Sequence, residues 1–313
     1  MKILIIDLPE PLLIVGLEEL GHELTDGSIW SPDTILKEIG AYHGIILRSR
    51  ISVDEKLLAA AVNLKFIARE GAGVEHIDMS AAERLRIPVL TANEGNRDAV
   101  AEHAIGMLLS LMNNINKADA EVRNGLWKRE ANRGIELHEK KVAIIGYGNM
   151  GTAMAEKLSG FGCSVYYYDK FPVKNTKSFA HKMTMEKIYD QADIVSLHLP
   201  LTMETTGLVN DEYLNKFTKN IILVNTSRGK IVNTDDLVKN MKSGKVIGAC
   251  LDVLAYENQS FTALTIPENR ESYDYLMGSN RVILTPHIAG WSHESKKKIA
   301  IVLLEKIKAI TKE

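Results

Sequence analysis

KVAIIGYGNMG, Lys141–Gly151, decides the fold, because a short apolar run over Val142–Ile145 ends in Gly146, Gly148 and Gly151. The run reads as a buried parallel strand, and residues from Met150 to about Leu158 can continue as a helix. At such a junction Gly146 allows the tight turn, Gly148 lets the backbone approach a pyrophosphate, and Gly151 lets helix and strand pack closely. Exposed N–H groups at the helix start then bind the anion. Glycine triplets also arise by chance, so the context matters. SVYYY, Ser164–Tyr168, is a second strand-like run, and it ends in Asp169, 18 residues after Gly151. An acid there accepts hydrogen bonds from the ribose hydroxyls of NAD and repels the extra phosphate of NADP. The bland alternative is a solvated turn aspartate.

Working outward, 313 residues suffice for one large or two ordinary domains with a sizeable core. Lysine and arginine number 38 against 40 acidic residues, so the balance favours neither nucleic acid nor a membrane surface as a partner. MKILIID at the amino terminus is too short an apolar run for a signal peptide, and no later stretch is long enough to span a bilayer. A cytoplasmic location is the expectation. Cys163 and Cys250 both lie beside apolar strand-like segments, which suits reduced core thiols better than a disulfide.

Residues 1–94 already alternate strand-like and helix-like segments. Strands are predicted at Ile3–Ile6, Gly44–Leu47, Leu64–Ala68 and Pro88–Thr91, and helices around Leu12–Leu20, Asp54–Ala61 and Ser80–Arg86. Polar or glycine-rich loops follow three of the strands: Arg48-Ser49-Arg50, Arg69-Glu70-Gly71-Ala72-Gly73 and Asn93-Glu94-Gly95-Asn96. Ligands of open parallel sheets sit at such carboxyl ends. Asp98–Met112 is apolar on nearly all sides and reads as a buried helix joining two units. Residues 117–139 are polar with scattered Leu126, Trp127 and Leu137, which suits a surface arm on a partner subunit or a helix and loop on their own domain. The βα alternation resumes through Ile194–Leu197, Ile221–Val224, Val246–Ala249 and Val282–Leu284, and a tail helix over Ser292–Ile310 places Ile299, Val302, Leu303, Lys306 and Ile310 on one side.

Three of these later strand ends carry distinctive polar segments: NTSRGKIV from Asn225, LDV at 251–253 followed by Glu257, and LTPHIAGW from Leu284. Together with GAGVEHID at 71–78 and GNRDAVAEHAIGMLL at 95–109, they resemble the signature segments of the D-isomer-specific 2-hydroxyacid dehydrogenase family, over essentially the whole chain. The resemblance implies an α/β protein of two Rossmann-like doubly wound parallel-sheet domains with an active-site cleft between them. The substrate-binding domain would be discontinuous, 1–94 plus 292–313, and the NAD-binding domain would span 95–291.

Residue roles follow from the same resemblance. Oxidising a 2-hydroxy acid needs a base for the hydroxyl proton, and histidine, titrating near 6.5, suits it, so His287 is the candidate. Glu257 would hold one ring nitrogen and favour the protonated imidazole needed for reduction. Arg228 would supply a two-pronged, always-charged donor to the carboxylate and carbonyl, a fork that lysine lacks. Ala72, Gly73 and Val74 would present backbone N–H groups to the substrate carboxylate. The cofactor set is Gly146, Gly148, Asn149, Met150, Gly151 and Asp169, joined by Pro200, Thr205, Thr226, Asp252 and Gly290. His76, His103 and His293 read as structural or exposed, and no His, Cys and carboxylate group has metal-ligand spacing, so no metal is expected.

Arg48-Ser49-Arg50 resembles the segment near the substrate phosphate in 3-phosphoglycerate dehydrogenases, so the favoured reaction is D-3-phosphoglycerate to 3-phosphohydroxypyruvate, or its reverse. A glyoxylate or hydroxypyruvate reductase is the alternative. A second is an NAD-sensing binding protein like the C-terminal-binding-protein corepressors. The chain ends soon after its last helix, so the regulatory domain of longer relatives is not expected. A homodimer through the NAD-binding domain is implied by resemblance. Departures from the family pattern are Asn258 where proline is usual, Glu75-His76 where Asp-Asn is common, Arg97-Asp98 in place of smaller polar residues, and a longer than usual interval that sets Glu257 and His287 30 residues apart. The additional chain, 258–279, would shape the cleft entrance or form a surface loop with Phe261 and Tyr273 tucked against the domain.

Overall fold

A computed structural model describes residues 1–173, 179–258 and 263–311. Phe261 lies outside the described residues. The chain divides into two compact units, Met1–Arg97 with Trp291–Glu313, and Asp98–Gly290. Each is built on one all-parallel sheet.

In the first unit, β1 (Lys2–Ile5), α1 (Pro11–Glu19), β2 (Glu23–Asp26), α2 (Pro32–Glu38), β3 (Gly44–Leu47), α3 (Glu55–Ala60), β4 (Phe66–Arg69), α4 (Met79–Arg84) and β5 (Val89–Leu90) alternate, and the sheet order is β2-β1-β3-β4-β5. Two of these elements escape the apolar pattern. β2 is a polar edge strand, ELTD, with no buried residue. α2 buries only Ile35 and is set by its cap instead, since Ser31 Oγ accepts the N–H of Thr34 and Pro32 opens the first turn. The central strands β1, β3 and β4 are buried on both faces: Leu4 and Ile6 join one apolar cluster, Ile3 and Ile5 the other.

α5 (Asn93–Met112) starts five residues before the predicted Asp98 and passes from the first unit into the second. The second unit continues with α6 (Ile115–Arg123), β6 (Lys141–Ile145), α7 (Asn149–Leu158), β7 (Ser164–Tyr168), β8 (His181–Lys182), α8 (Met185–Gln191), β9 (Ile194–Leu197), α9 (Asp211–Asn215), β10 (Ile221–Asn225), α10 (Thr234–Lys242), β11 (Val246–Leu251), α11 (Glu271–Gly278) and β12 (Val282–Leu284). Its sheet order is β12-β11-β10-β9-β6-β7-β8. Val142 and Ile144 of β6 pack with α5 and α7 on one face, while Ala143 and Ile145 pack with α8, α9 and α10 on the other. α11 lies in the 258–279 stretch, for which the sequence predicts no helix: Leu276 enters the core, and Lys242 of α10 pairs with Glu271. Tyr273 meets Tyr256 edge to face at 5.6 Å. α6 buries no residue.

α12 (His293–Thr311) returns to the first unit. Ile299, Ala300, Leu303 and Ile307 are buried against Leu13, Leu17 and Phe66, so the apolar stripe follows i, i+4, i+8. Val302, Lys306 and Ile310 flank it, and Lys306 Nζ reaches the Thr91 carbonyl at 2.7 Å and Glu94 at 2.8 Å. Among the described residues no helix is long and apolar enough to cross a membrane.

His76 is buried in the first unit, its carbonyl accepts the N–H of Val53 at 2.7 Å, and its Nε2 has no hydrogen-bond partner among the described residues. Burial, and then the charge of Arg69, push its pKa down to about 4. A histidine depressed on folding keeps its full stability contribution above the unfolded value near 6.5 and loses it as the pH falls towards 4. The urea midpoint should therefore fall between pH 6.5 and 4, and His76→Asn should flatten that decline relative to wild type.

Candidate active site

Parallel register brings six strand ends to one edge of the seven-stranded sheet. Ile145 pairs with Tyr168 on one side and Leu197 on the other, Leu197 with Asn225, Asn225 with Leu251, and Leu251 with Leu284. The chain reverses direction across the sheet between β6 and β9, and open α/β sheets hold their ligands at such a switch point.

At that point Gly146 has φ 91°, and a Cβ on it would run into the carbonyl of His198 at the end of β9. A Cβ on Gly151 would strike the carbonyl of Gly146. Both glycines are thus required by close backbone approach. Gly148 differs, because a Cβ there meets nothing within 4 Å. α7 begins after Gly148 with no side-chain cap, so Asn149, Met150 and Gly151 form an uncapped helix start open to an anion. Asp169 ties this loop to β7: Oδ2 accepts the N–H of Tyr147 at 2.7 Å and Oδ1 that of Phe171 at 2.8 Å. Each oxygen keeps capacity for a second hydrogen bond, which a ribose hydroxyl can donate.

Next to Tyr168 opens a cavity of about 520 Å³ with Ile145, Met185, Tyr189 and Leu208 in its lining. A base attached to a ribose held by Asp169 has this space beside it, aromatic and aliphatic at Tyr168, Met185, Tyr189 and Leu208 and polar at Glu204, Asn210, Glu212 and Lys216. Met185 and Tyr189 of α8 and Leu208 of the loop after β9 are not legible in the sequence, because they converge from separate elements and show no local motif. On the far side of the switch point, Thr226 is buried and its Oγ1 has no hydrogen-bond partner among the described residues. The open Gly148, the uncapped helix and the orphaned Thr226 hydroxyl all fit a dinucleotide. Thr205 is engaged otherwise: its hydroxyl donates to the Pro200 carbonyl at 2.7 Å and receives the N–H of Thr202, folding the loop after β9. His198, in the same loop, bonds Ser196 Oγ at 2.9 Å, and burial lowers its pKa to about 4, so it is neutral.

Arg228, Glu257 and His287 follow the ends of the neighbouring strands β10, β11 and β12. Asn225 builds the Arg228 turn: its Oδ1 accepts the N–H and the hydroxyl of Ser227, and its Nδ2 donates to the Arg228 carbonyl at 2.9 Å. An asparagine that closes an apolar run and is followed two residues later by serine is the sequence signal for this turn. Glu257 Oε1 accepts the N–H of Leu254, and its Oε2 lies 2.7 Å from Nδ1 of His287. His287 itself has φ 56°. Asp252, expected among the cofactor contacts, is 1% exposed and receives the Thr285 hydroxyl at 2.6 Å and the N–H groups of Ile288 and Ala289, both at 2.9 Å. It fastens the segment leading to Gly290.

In the first unit, Arg50 is exposed yet tied to backbone carbonyls. Its guanidinium donates to the carbonyls of Ile6, Gly27 and Trp30 and lies 3.5 Å from Asp7. Arg48 lies 3.6 Å from the buried Glu70 and donates to the Leu8 carbonyl, while its own N–H goes to Asp7. Desolvation raises the pKa of Glu70. Ser49 stands between the two arginines, half-buried. Ala72, Gly73 and Val74 form the turn after β4, with Gly73 buried. Among the described residues no group of three His, Cys, Asp or Glu side chains could hold a metal ion.

Residues 105–289 match the D-isomer specific 2-hydroxyacid dehydrogenase NAD-binding domain, more than half of the chain. The D-3-phosphoglycerate dehydrogenase of Archaeoglobus fulgidus is 33% identical over 309 residues, 98% of this chain and 56% of that protein. The hydroxypyruvate reductase of Thermotoga maritima is 32% identical over 296 residues, 94% of this chain and 92% of that protein. A D-lactate dehydrogenase from Aquifex aeolicus, crystallised with NAD and lactic acid, superposes with a TM-score of 0.83 at 26% identity, covering 100% of this chain and 96% of that one. This chain belongs to the D-isomer-specific 2-hydroxyacid dehydrogenase family, whose members are NAD-dependent oxidoreductases. It spans about half the length of several phosphoglycerate dehydrogenases that it matches.

The two glycines should behave oppositely. Gly151→Ala, pressed against a backbone carbonyl, should lower the unfolding temperature, at a cost of about 1–3 kcal/mol. Gly148→Ala should melt like wild type yet lose NADH affinity by at least about tenfold in a fluorescence titration.

Proposed function

We propose that this chain is a NAD-dependent D-2-hydroxyacid dehydrogenase in which His287 exchanges the substrate hydroxyl proton. The 2.7 Å contact of His287 Nδ1 with Glu257 carries this reading. With Nδ1 engaged by the carboxylate, the tautomer is fixed and proton exchange falls to Nε2. Glu257 also stabilises the imidazolium that donates a proton to the carbonyl oxygen during reduction. Arg228 would hold the carboxylate and polarise the carbonyl, and the backbone of Ala72, Gly73 and Val74 would take further carboxylate bonds. NAD, when bound, supplies or accepts the hydride at C2. Gly148, the start of α7, Asp169 and Thr226 are the residues proposed to hold it, with the base in the Tyr168 cavity.

Arg50 bears on the substrate. Its donors already serve three backbone carbonyls, and Arg48 faces Glu70. Those commitments favour a phosphate-free 2-oxo acid, of the hydroxypyruvate or glyoxylate kind, over 3-phosphohydroxypyruvate. Relatives carry all three kinds of name. The exposed Ile115, Val122, Leu126 and Trp127, the last 79% exposed, support a homodimer through this arm of the second unit.

His287→Ala should lower kcat by about 10²–10⁴-fold while NADH affinity stays within about twofold. NADH consumption should be measured against 3-phosphohydroxypyruvate, hydroxypyruvate, glyoxylate and a branched-chain oxo acid. No turnover on any of them would point instead to an NAD-sensing binding protein. Arg50→Ala should cost about 1–3 kcal/mol of stability and leave the preference among these acids unchanged. A loss confined to the phosphorylated acid would restore the phosphoglycerate assignment.

A further inference from the structure

Within the seven-stranded unit, the Thr285 hydroxyl lies between two groups that the proposed chemistry does not use. It donates to Oδ1 of Asp252 at 2.6 Å and lies 3.0 Å from Nε2 of His103. A weaker acceptor, Met107 Sδ, is 3.6 Å away. With its single proton on the carboxylate, Thr285 Oγ1 can only accept from the imidazole, so the neutral ring carries its proton on Nε2. Asp252 in turn receives the Ile288 and Ala289 N–H groups, and its carbonyl accepts the His287 N–H at 2.8 Å. The segment 285–289 is strung on one buried aspartate, with His287 at its centre in a left-handed conformation that a residue with a Cβ seldom adopts unaided.

The placement of His103 adds a second point. It lies on α5, just after the chain enters the second unit at Arg97/Asp98, and Thr285 lies just before the chain leaves it at Gly290/Trp291. Their hydrogen bond cross-links the two connecting stretches at Thr285, two residues before His287.

We infer that His103 and Thr285 are positioning residues for His287, acting through Asp252. Resting as it does on the dehydrogenase reading, the inference has a test with one readout that needs no turnover. Thr285→Val, isosteric but without the hydroxyl, should lower kcat about ten- to a hundredfold with KM and NADH affinity within about threefold of wild type, because a misplacement of the order of 1 Å has that effect on a reacting group. Thr285→Ser should recover to within about threefold. His103→Leu should act in the same direction as Thr285→Val, and the double variant should be no worse than Thr285→Val by more than about twofold. His103→Gln, which keeps a donor, should stay within about threefold of wild type, and a loss as large as that of Thr285→Val in a folded glutamine variant would overturn the role of His103. Amide hydrogen exchange of 285–290 in the NADH-bound chain should accelerate with valine and not with serine. Wild-type kcat in Thr285→Val, an equal loss in Thr285→Ser, or a loss confined to KM would overturn the inference. If the wild-type chain turns over none of the acids, the dehydrogenase reading fails, and unchanged exchange in Thr285→Val still overturns the brace.

Discussion

Parallel strand register is the constraint on which the rest depends. Tyr168, Ile145, Leu197, Asn225, Leu251 and Leu284 occupy matching positions along six adjacent strands. Each loop therefore starts at the same height, and residues separated by more than a hundred positions share one edge. Alternating apolar side chains fix that register from both faces, since a slip of one residue would turn every strand's core set to the wrong side.

What the register leaves open, short polar side chains close. Asp169 fixes the Gly-rich loop, Asn225 the arginine turn, Glu257 its own turn, and Asp252 the histidine segment. In each, a carboxylate or amide at or just after a strand end captures backbone N–H groups that no ladder satisfies. Two of them, Asn225 and Asp252, are almost wholly buried, where an unmade hydrogen bond is costly, so the loops they hold have few alternatives. Site geometry is thus set by groups that need not touch substrate.

The family and the α/β architecture were legible because their signals are local: apolar runs, glycines at tight turns, and polar strand ends. β2 was not, because an edge strand that buries nothing carries no alternation. α11 was not, because Ser272 and Leu276 are its only buried residues and they mark a single stripe position. The cavity at Tyr168 gathers side chains from β6, β7, α8, the loop after β9 and α9, a convergence that no linear motif records. The orientation of Arg50 was equally invisible: its partners are carbonyls of Ile6, Gly27 and Trp30, and any residue type offers a carbonyl.

The return of α12 to the first unit also orders assembly on the ribosome. Residues 98–290 are contiguous and hold both faces of their sheet themselves, so they can condense as they emerge. The first unit leaves the exit tunnel earlier, yet one face of its sheet, with Ile3, Ile5 and Phe66, waits for Ile299, Leu303 and Ile307. During synthesis of nearly two hundred intervening residues that face is covered only by Leu13 and Leu17 of α1, so the nascent amino-terminal third keeps apolar strand surface open to a chaperone until α12 arrives.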